Sequence, residues 1–361
     1  MSDAPFNRHM LLLARKHREM SQAEVASCAG IDQGHYSKIE NGLLPHGPLE
    51  QTAQSLARAL RFPLSFFYQT DHVYGLPISV HPMHRKRASV GERVLRGIHA
   101  ELNLRLVQLR RLLDAIELKR QFPMPQIDVD EGGGPERIAE SVRQAWLLPT
   151  GPIDNLMACV EKAGGLVVWC HFRGSDVDGV TLRAPDLPPC IFLNQNSPAD
   201  RLRFSLAHEL AHVIMHHVPS ATMESEADTF ASAFLMPAKD IKKDLVGRLT
   251  LEKLGRLKLV WRVSMQALLM RAMQLGTVTS NQSQYLWRQI SWLGYRKREP
   301  VELDFERESP GVFPRVLQIH FQDLGYTLTE LGKALHVEAS DLTDLYGLDA
   351  APSRGHLRLI K

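Results

Sequence analysis

Two histidines four residues apart, within an apolar stretch, constrain this 361-residue chain more than any other feature. Residues 208–212 read HELAH, with FSLA before them and VIM after them. Residues four apart on an α-helix differ by about 40° in direction and about 6 Å in height, so His208 and His212 can aim their imidazoles at one ion. Burying two histidines and Glu209 in an apolar helix is costly unless something pairs them. The segment therefore predicts a metal site on a buried helix.

The glutamate inside this segment has a different role from the histidines. Glu209 points about 100° away from His208, which leaves its carboxylate beside the ion and not on it. A carboxylate in that position can accept a proton from water and pass it to a leaving amine. Zinc suits two neutral imidazoles and one carboxylate. We therefore expect Zn²⁺ as the cofactor and Glu209 as the catalytic residue.

A third ligand is available on the next predicted helix. Glu224, Glu226 and Asp228 open that helix, 12 to 16 residues beyond the second histidine. Glu226 stands one turn before Phe230, which lies on the apolar face. Glu224 is nearer the helix start, where the helix dipole alone favours an acid. We expect Glu226 to be the third metal ligand and keep Glu224 as the alternative.

Two sequence blocks carry a family resemblance. RFSLAHELAH at residues 203–212, followed by EADTFA at 226–231 and FLMP at 234–237, resembles the ImmA/IrrE family of metallopeptidases. The similarity covers about residues 130–280. Paired blocks of this kind are much more specific than the HExxH pattern alone.

The resemblance implies a zincin-like metallopeptidase domain with assigned roles. Zn²⁺ would be bound by His208, His212 and Glu226, and Glu209 would be the catalytic base. Members of the family typically cleave DNA-binding repressors, some of them in response to DNA damage or stress. The resemblance thus implies a protein substrate, expected to be a repressor.

The front of the chain reads as a compact set of short helices. Ser21 and Glu24 form a capping box that opens one helix, which Gly30 breaks. Asp32 can cap the next helix. This part resembles the XRE family of helix-turn-helix domains, which implies an all-α DNA-binding domain.

In that family the second helix of the motif, here residues 32–40, lies in the major groove. Tyr36 and Ile39 occupy core positions. Gly34 stands where the family often has a base-contacting side chain, and a helix-turn-helix that mediates only protein contacts is the alternative. The candidate DNA contacts are Gln22, Gln33, Gly34, His35, Ser37 and Lys38.

Charge and composition fit a DNA-binding front domain. Residues 1–120 carry 17 Lys and Arg against 11 Asp and Glu, whereas the remainder carries 26 against 29. A basic front suits double-stranded DNA. There is no apolar run long enough for a membrane span and no signal peptide, and the four cysteines show no CxxC spacing. We expect a cytoplasmic protein without a membrane partner.

The expected fold class is mainly α with a small β-sheet (α+β). We predict a helix-turn-helix domain at residues 1–70, and a linker with a long amphipathic helix at 71–124. A zinc metallopeptidase domain at 125–280 and a helical C-terminal region at 281–361 follow. The long helix, about Ser89–Gln121, suits packing against the body better than a coiled coil, because its repeat is short.

Two functions are compatible with these features. The first is a DNA-binding zinc endopeptidase that regulates transcription by cleaving a repressor-type protein, and a homodimer on symmetric DNA is compatible with it. The second is a transcription regulator whose peptidase fold senses a metal or signal without turnover. Since a sensor needs metal ligands but no base, Glu209 favours the enzyme.

Overall fold

The computed structural model describes residues 4–71, 73, 92–114, 116–172 and 177–348. Most of the predicted linker, the start of the predicted long helix at Ser89 and the chain after residue 348 lie outside these ranges. Helices predominate in the described part, around one small sheet. The predicted fold class, mainly α with a small β-sheet, is confirmed.

Short helices form the front of the chain, as predicted. They are α1 (Arg8–His17), α2 (Gln22–Ala29), α3 (Gln33–Glu40), α4 (Glu50–Leu60) and the 3₁₀ turn Leu64–Tyr68. Ser21 makes the capping box of α2, Gly30 ends that helix in a left-handed conformation, and Asp32 caps α3. Tyr36 and Ile39 are buried in the core of this unit. The caps thus leave α2 and α3 joined only by residues 30–32, as in a helix-turn-helix.

The remaining helices follow the linker. They are α5 (Glu92–Leu113), α6 (Pro135–Ala145), α7 (Leu156–Lys162), α8 (Ala199–Met215), α9 (Met223–Leu235), α10 (Ala238–Leu245), α11 (Leu251–Trp261), α12 (Met265–Gln274), α13 (Ser280–Trp292), α14 (Val312–Gln318), α15 (Leu328–Leu335) and α16 (Ala339–Tyr346). A 3₁₀ turn at Val301–Leu303 and a π turn at Ile319–Asp323 complete the set.

A three-stranded sheet lies in the middle of the molecule. Its strands are β1 (Leu166–Cys170), β2 (Gly179–Leu182) and β3 (Cys190–Asn194), in the order β1-β3-β2. β3 pairs parallel with β1 and antiparallel with β2, and Phe192 is the partner of both Val168 and Val180. Successive side chains of a strand point to opposite faces, so both faces of this buried sheet are apolar.

The two faces of the sheet belong to two different cores. Phe192 and Val168 pack into a core with the front helices, α5 and α14 to α16. Ile191, Val167 and Leu193 pack into the other, with α6 to α13. The predicted C-terminal region is therefore divided, because α13 joins the second core and the last three helices join the first.

Helix α5 packs against the body of the protein. Its apolar residues are buried between α1, α14 and α15. Packing against the body predicts this burial, whereas a coiled coil would leave the apolar stripe exposed in a single chain. Arg105 on this helix is also buried. Its guanidinium donates to Glu101 and to the carbonyl of Leu345, and it lies over the ring of Tyr346. Ionic and aromatic partners replace the water that this arginine loses.

Within the described part of the chain, each helix is too short or too polar to cross a bilayer.

A buried lysine joins the start of α8 to the segment that follows α13. Lys258 Nζ donates to Asp200 and, at 2.8 Å, to Glu299 Oε2, and all three side chains are buried. Burial lowers the pKa of Lys258, but the two carboxylates outweigh it and raise the pKa above its usual value. The cation is therefore held charged between two acids.

We expect Lys258→Met to lower the free energy of unfolding by about 3–5 kcal/mol, because it leaves two buried carboxylates without their cation. Urea denaturation followed by circular dichroism measures the change. Lys239→Ala is the matched control, since Lys239 is 78% exposed and lies 3.9 Å from Glu140; it should cost about 0–1 kcal/mol. Equal midpoints for the two variants would contradict a stabilising role for the buried cation.

Candidate metal centre and DNA-binding helix

Helix α8 presents the two predicted histidines side by side. The helix starts after Pro198 and is largely buried against β2 and β3. His208 is half-buried and His212 is buried, and their Nε2 atoms lie 3.1 Å apart. Two imidazole nitrogens this close, on a rigid helix, form the beginning of a metal site.

Helix α9 supplies the third group, and it is Glu224. Its Oε2 lies 3.6 Å from His208 Nε2, and its Oε1 lies 3.4 Å from His212 Nε2. The ligand atoms of His208, His212 and Glu224 all lie within 4.8 Å of one another. A spacing of this size suits three ligands around one ion.

The favoured third ligand, Glu226, is not in this cluster. Its Oε2 lies 3.0 Å from Nε2 of His216. Glu226 is two residues after Glu224, about 200° further round the helix axis. The packing of α9 on α8 turns Glu224, the alternative ligand, toward the two histidines, whereas Glu226, the favoured ligand, contacts His216.

The other ring nitrogens of the two histidines have partners of their own. His208 Nδ1 lies 2.9 Å from Asp228 Oδ1, and His212 Nδ1 lies 2.9 Å from His216 Nδ1. Glu226 accepts from His216 Nε2, so His216 Nδ1 is left to accept from His212 Nδ1. With its proton on Nδ1, each histidine would have the Nε2 lone pair free for a cation beside Glu224. Such orientation by outer carboxylates is typical of metal-binding histidines.

Charges at the cluster also fit a cation. Burial raises the pKa of Glu224, but its hydrogen bonds to His208 and His212 outweigh this and lower the pKa to about 2. Burial likewise lowers the pKa of His208, yet Asp228 and Glu224 raise it to about 10. Burial and the neighbouring His212 lower the pKa of His216 to about 4. The carboxylates of Glu224 and Asp228 thus favour a positive charge at His208, and a divalent cation would also supply such a charge.

Glu209 lies beside the cluster, next to the sheet. Its side chain is buried, and its Oε2 has no hydrogen-bond partner among the described residues. A Cβ added to Gly179 would lie 3.0 Å from Glu209 Cγ, so the first residue of β2 has to be small. Thr181 Oγ1 donates to the carbonyl of Glu209 at 3.3 Å. A buried carboxylate oxygen without a partner, close to a metal cluster, is suited to accept a proton.

Three residues of this site had no role assigned from the sequence, although Asp228 stood among the candidate acids. His216 and Asp228 orient the two histidines, and Gly179 makes room for Glu209. The spacing contained a signal for two of them. His216 continues the four-residue spacing of the histidines, and Asp228 lies four residues after Glu224. Residues four apart share a helix face, so Glu224 and Asp228 can meet the same histidine.

Helix α3 presents most of its predicted DNA contacts to solvent. Gln33, Gly34, His35 and Lys38 are exposed. A Cβ added at Gly34 would lie 2.9 Å from Asp32 Oδ1, which caps the helix, so a side chain there would crowd the cap.

Two of the predicted contacts are engaged within the domain. Ser37 is half-buried, and its hydroxyl accepts from Asn41 at 3.2 Å. Gln22 is also half-buried and donates to Glu40, which pairs with Arg15. The freely accessible surface of α3 is thus formed by residues 33–35 and Lys38.

Comparison with known families is consistent with both halves of this description. Residues 11–67 match the model of a helix-turn-helix family, and residues 160–273 match that of the IrrE N-terminal-like domain, a peptidase family. The chain joins a helix-turn-helix domain to an IrrE-like peptidase domain. No curated protein matches it. The cluster of His208, His212 and Glu224 lies wholly within the IrrE-like match, whereas α13 and all later elements lie beyond its end.

Proposed function

We propose that this chain is a DNA-binding zinc endopeptidase that cleaves a repressor-type protein. One observation supports it above all others: two imidazole Nε2 atoms and the Glu224 carboxylate converge, with Glu209 beside them. A sensor would need only the first three groups. The unpartnered Glu209 oxygen favours an enzyme over the sensor alternative.

The residues present fit zinc. His208, His212 and Glu224 would hold it, and three protein ligands leave room for water or substrate. When bound, zinc polarises the peptide carbonyl and makes water a stronger nucleophile at neutral pH. Glu209 Oε2 accepts a proton from the attacking water and returns it to the amide nitrogen as the C–N bond breaks. Asp228 and His216 keep the two histidines in the required orientation.

The helix-turn-helix domain would bring this activity to DNA. Such domains commonly bind two-fold symmetric sites as dimers, so we propose that two chains bind one site. Repressors act on DNA, so the same site would bring the enzyme close to its substrate. A regulator of this kind would work in the cytoplasm.

The proteolytic function is tested with the repressor encoded nearest to the gene of this chain. We expect the zinc-loaded protein to cut it at one position, detected by mass spectrometry, and o-phenanthroline to stop the reaction. Cleavage that continues in the chelator would contradict a metal mechanism. An intact repressor together with intact unfolded casein would favour the sensor.

We expect Gln33→Ala and Lys38→Ala each to weaken specific DNA binding by about 1–3 kcal/mol, because amide and ammonium groups in the major groove read base edges. Affinity is measured at fixed salt on a site selected from random duplexes. Lys239→Ala, in the peptidase half, is the control and should bind normally. Unchanged binding by both α3 variants would place the DNA contacts elsewhere.

A further inference from the structure

A cavity of about 370 Å³ lies beside the metal cluster. It is enclosed by the first half of α8, by α9, α12 and α13, and by residues 295–299. Asp228, whose carboxylate contacts His208, forms part of its wall. We call this space the side cavity. Its volume is within the range of about 300–1,000 Å³ that is typical of ligand sites.

Apolar and aromatic side chains form one part of the lining. Phe204, Met270, Trp287 and Tyr295 all line the side cavity. Met270 is 46% exposed, so the apolar surface is open to an incoming group. Trp287 and Tyr295 come after the end of the IrrE-like match, so the far wall is contributed by the C-terminal region. An open apolar wall suits a large apolar side chain.

Some charged side chains at the rim of the side cavity already have an ionic partner, and others do not. The acids Asp200 and Glu299 share Lys258, as described above, and the acid Asp228 contacts His208. Arg296 and Lys297 have no ion-pair partner among the described residues, and Arg296 lies 4.8 Å over the ring of Trp287. The available charges on this side are therefore positive, and an acidic ligand would complement them.

The position of the side cavity relates it to the scissile bond. Phe204 lies one helical turn before His208, about 6 Å along the axis of α8. An extended peptide advances about 3.3 Å per residue. A substrate side chain resting on Phe204 would thus belong to a residue about two positions from the bond at the metal cluster.

We propose that the side cavity binds a large apolar side chain of the protein substrate, flanked by acidic residues. This inference rests on the proposed function, and it names the substrate class. Phe204, Met270 and Trp287 contact the apolar side chain, while Arg296 and Lys297 attract the acids next to it. The C-terminal region, which contributes Trp287, Arg296 and Lys297, would then determine which substrates bind next to the catalytic residues of α8.

Binding is measured by fluorescence anisotropy on the full-length, zinc-loaded chain carrying Glu209→Gln, which prevents turnover. The probes are three labelled Gly/Ser dodecapeptides with a central Glu-Phe-Glu, Lys-Phe-Lys or Glu-Ala-Glu. We expect Glu-Phe-Glu to bind at least about tenfold more tightly than the other two, the scale of one well-filled apolar pocket. Equal binding of all three would overturn the proposal.

Substitutions in the side cavity locate the site. Met270→Trp, which fills the space, and Trp287→Ala, which removes a wall, should each weaken Glu-Phe-Glu binding at least about tenfold. Lys297→Glu should reverse the preference between the two Phe peptides. The control is Trp292→Ala on the same helix, where Trp292 is 84% exposed and outside the cavity. If Met270→Trp binds as well as the control, the site is elsewhere.

The wild-type chain separates this inference from the proposed function. Selective binding of Glu-Phe-Glu without cleavage of any peptide would leave the side cavity as a binding site and contradict the peptidase. Cleavage of all three peptides at equal rates would retain the peptidase and overturn the selectivity.

Discussion

Replacing Glu224 by Gln should remove zinc from the protein, with an affinity loss of at least about 100-fold, above the range for residues that only orient a ligand. Glu224 contributes the only carboxylate near both Nε2 atoms in the described part of the chain. Gln has the same shape but no charge, so the two imidazoles would keep the metal weakly. Metal content after purification without chelator, followed by competition with a chromogenic chelator, measures the loss.

Glu226→Gln is the matched control on the same helix turn. Glu226 reaches the cluster only through His216 and His212, so its loss should weaken zinc binding by no more than about tenfold. Full zinc occupancy in Glu224→Gln with loss in Glu226→Gln would restore the ligand assignment favoured by the sequence. Absence of zinc from the wild-type chain would contradict the proposal that the protein is a zinc peptidase.

Glu209→Gln should keep zinc and lose proteolysis, with kcat falling by about 10²–10⁴-fold, the usual contribution of general acid–base catalysis. Gln fills the same space beside Gly179 but accepts no proton from water. The rate of repressor cleavage, measured beside the metal content of the same preparation, shows both effects.

The control for Glu209→Gln is Glu252→Gln, since Glu252 lies in an exposed pair with Arg256 on α11. That variant should cleave at the wild-type rate. Undiminished cleavage by Glu209→Gln would show that another group moves the proton. Loss of zinc in Glu209→Gln would mean that the carboxylate supports the site instead of the reaction.

The sheet connects the two functional parts of the molecule. The front domain and the last three helices share one core with one face of the sheet, and the metal helix α8 belongs to the core on the other face. Arg18, which directly follows α1, makes two contacts of 2.8–2.9 Å with Asp341 of α16. The helix-turn-helix domain and the helix that carries His208 and His212 are thus packed on a common scaffold.

Much of the local structure was predictable from the sequence because its causes are local. The Ser21 capping box, the Asp32 cap and the left-handed Gly30 lie where the residues require them. The apolar run at Leu166–Cys170 is β1, and the HELAH segment lies on a buried helix. Caps, turns and hydrophobic periodicity act over a few residues, so one chain is enough to read them.

The sequence by itself determined which helix carries His208, His212 and Glu209, and that an acid of the next helix would join them. Only the tertiary structure decided that Glu224 lies beside the two histidines and that Glu226 contacts His216. It also buried Arg105 and placed Trp287 beside the metal helix. These outcomes depend on the rotation and distance of one helix against another, which contacts distant in sequence set and local periodicity does not contain.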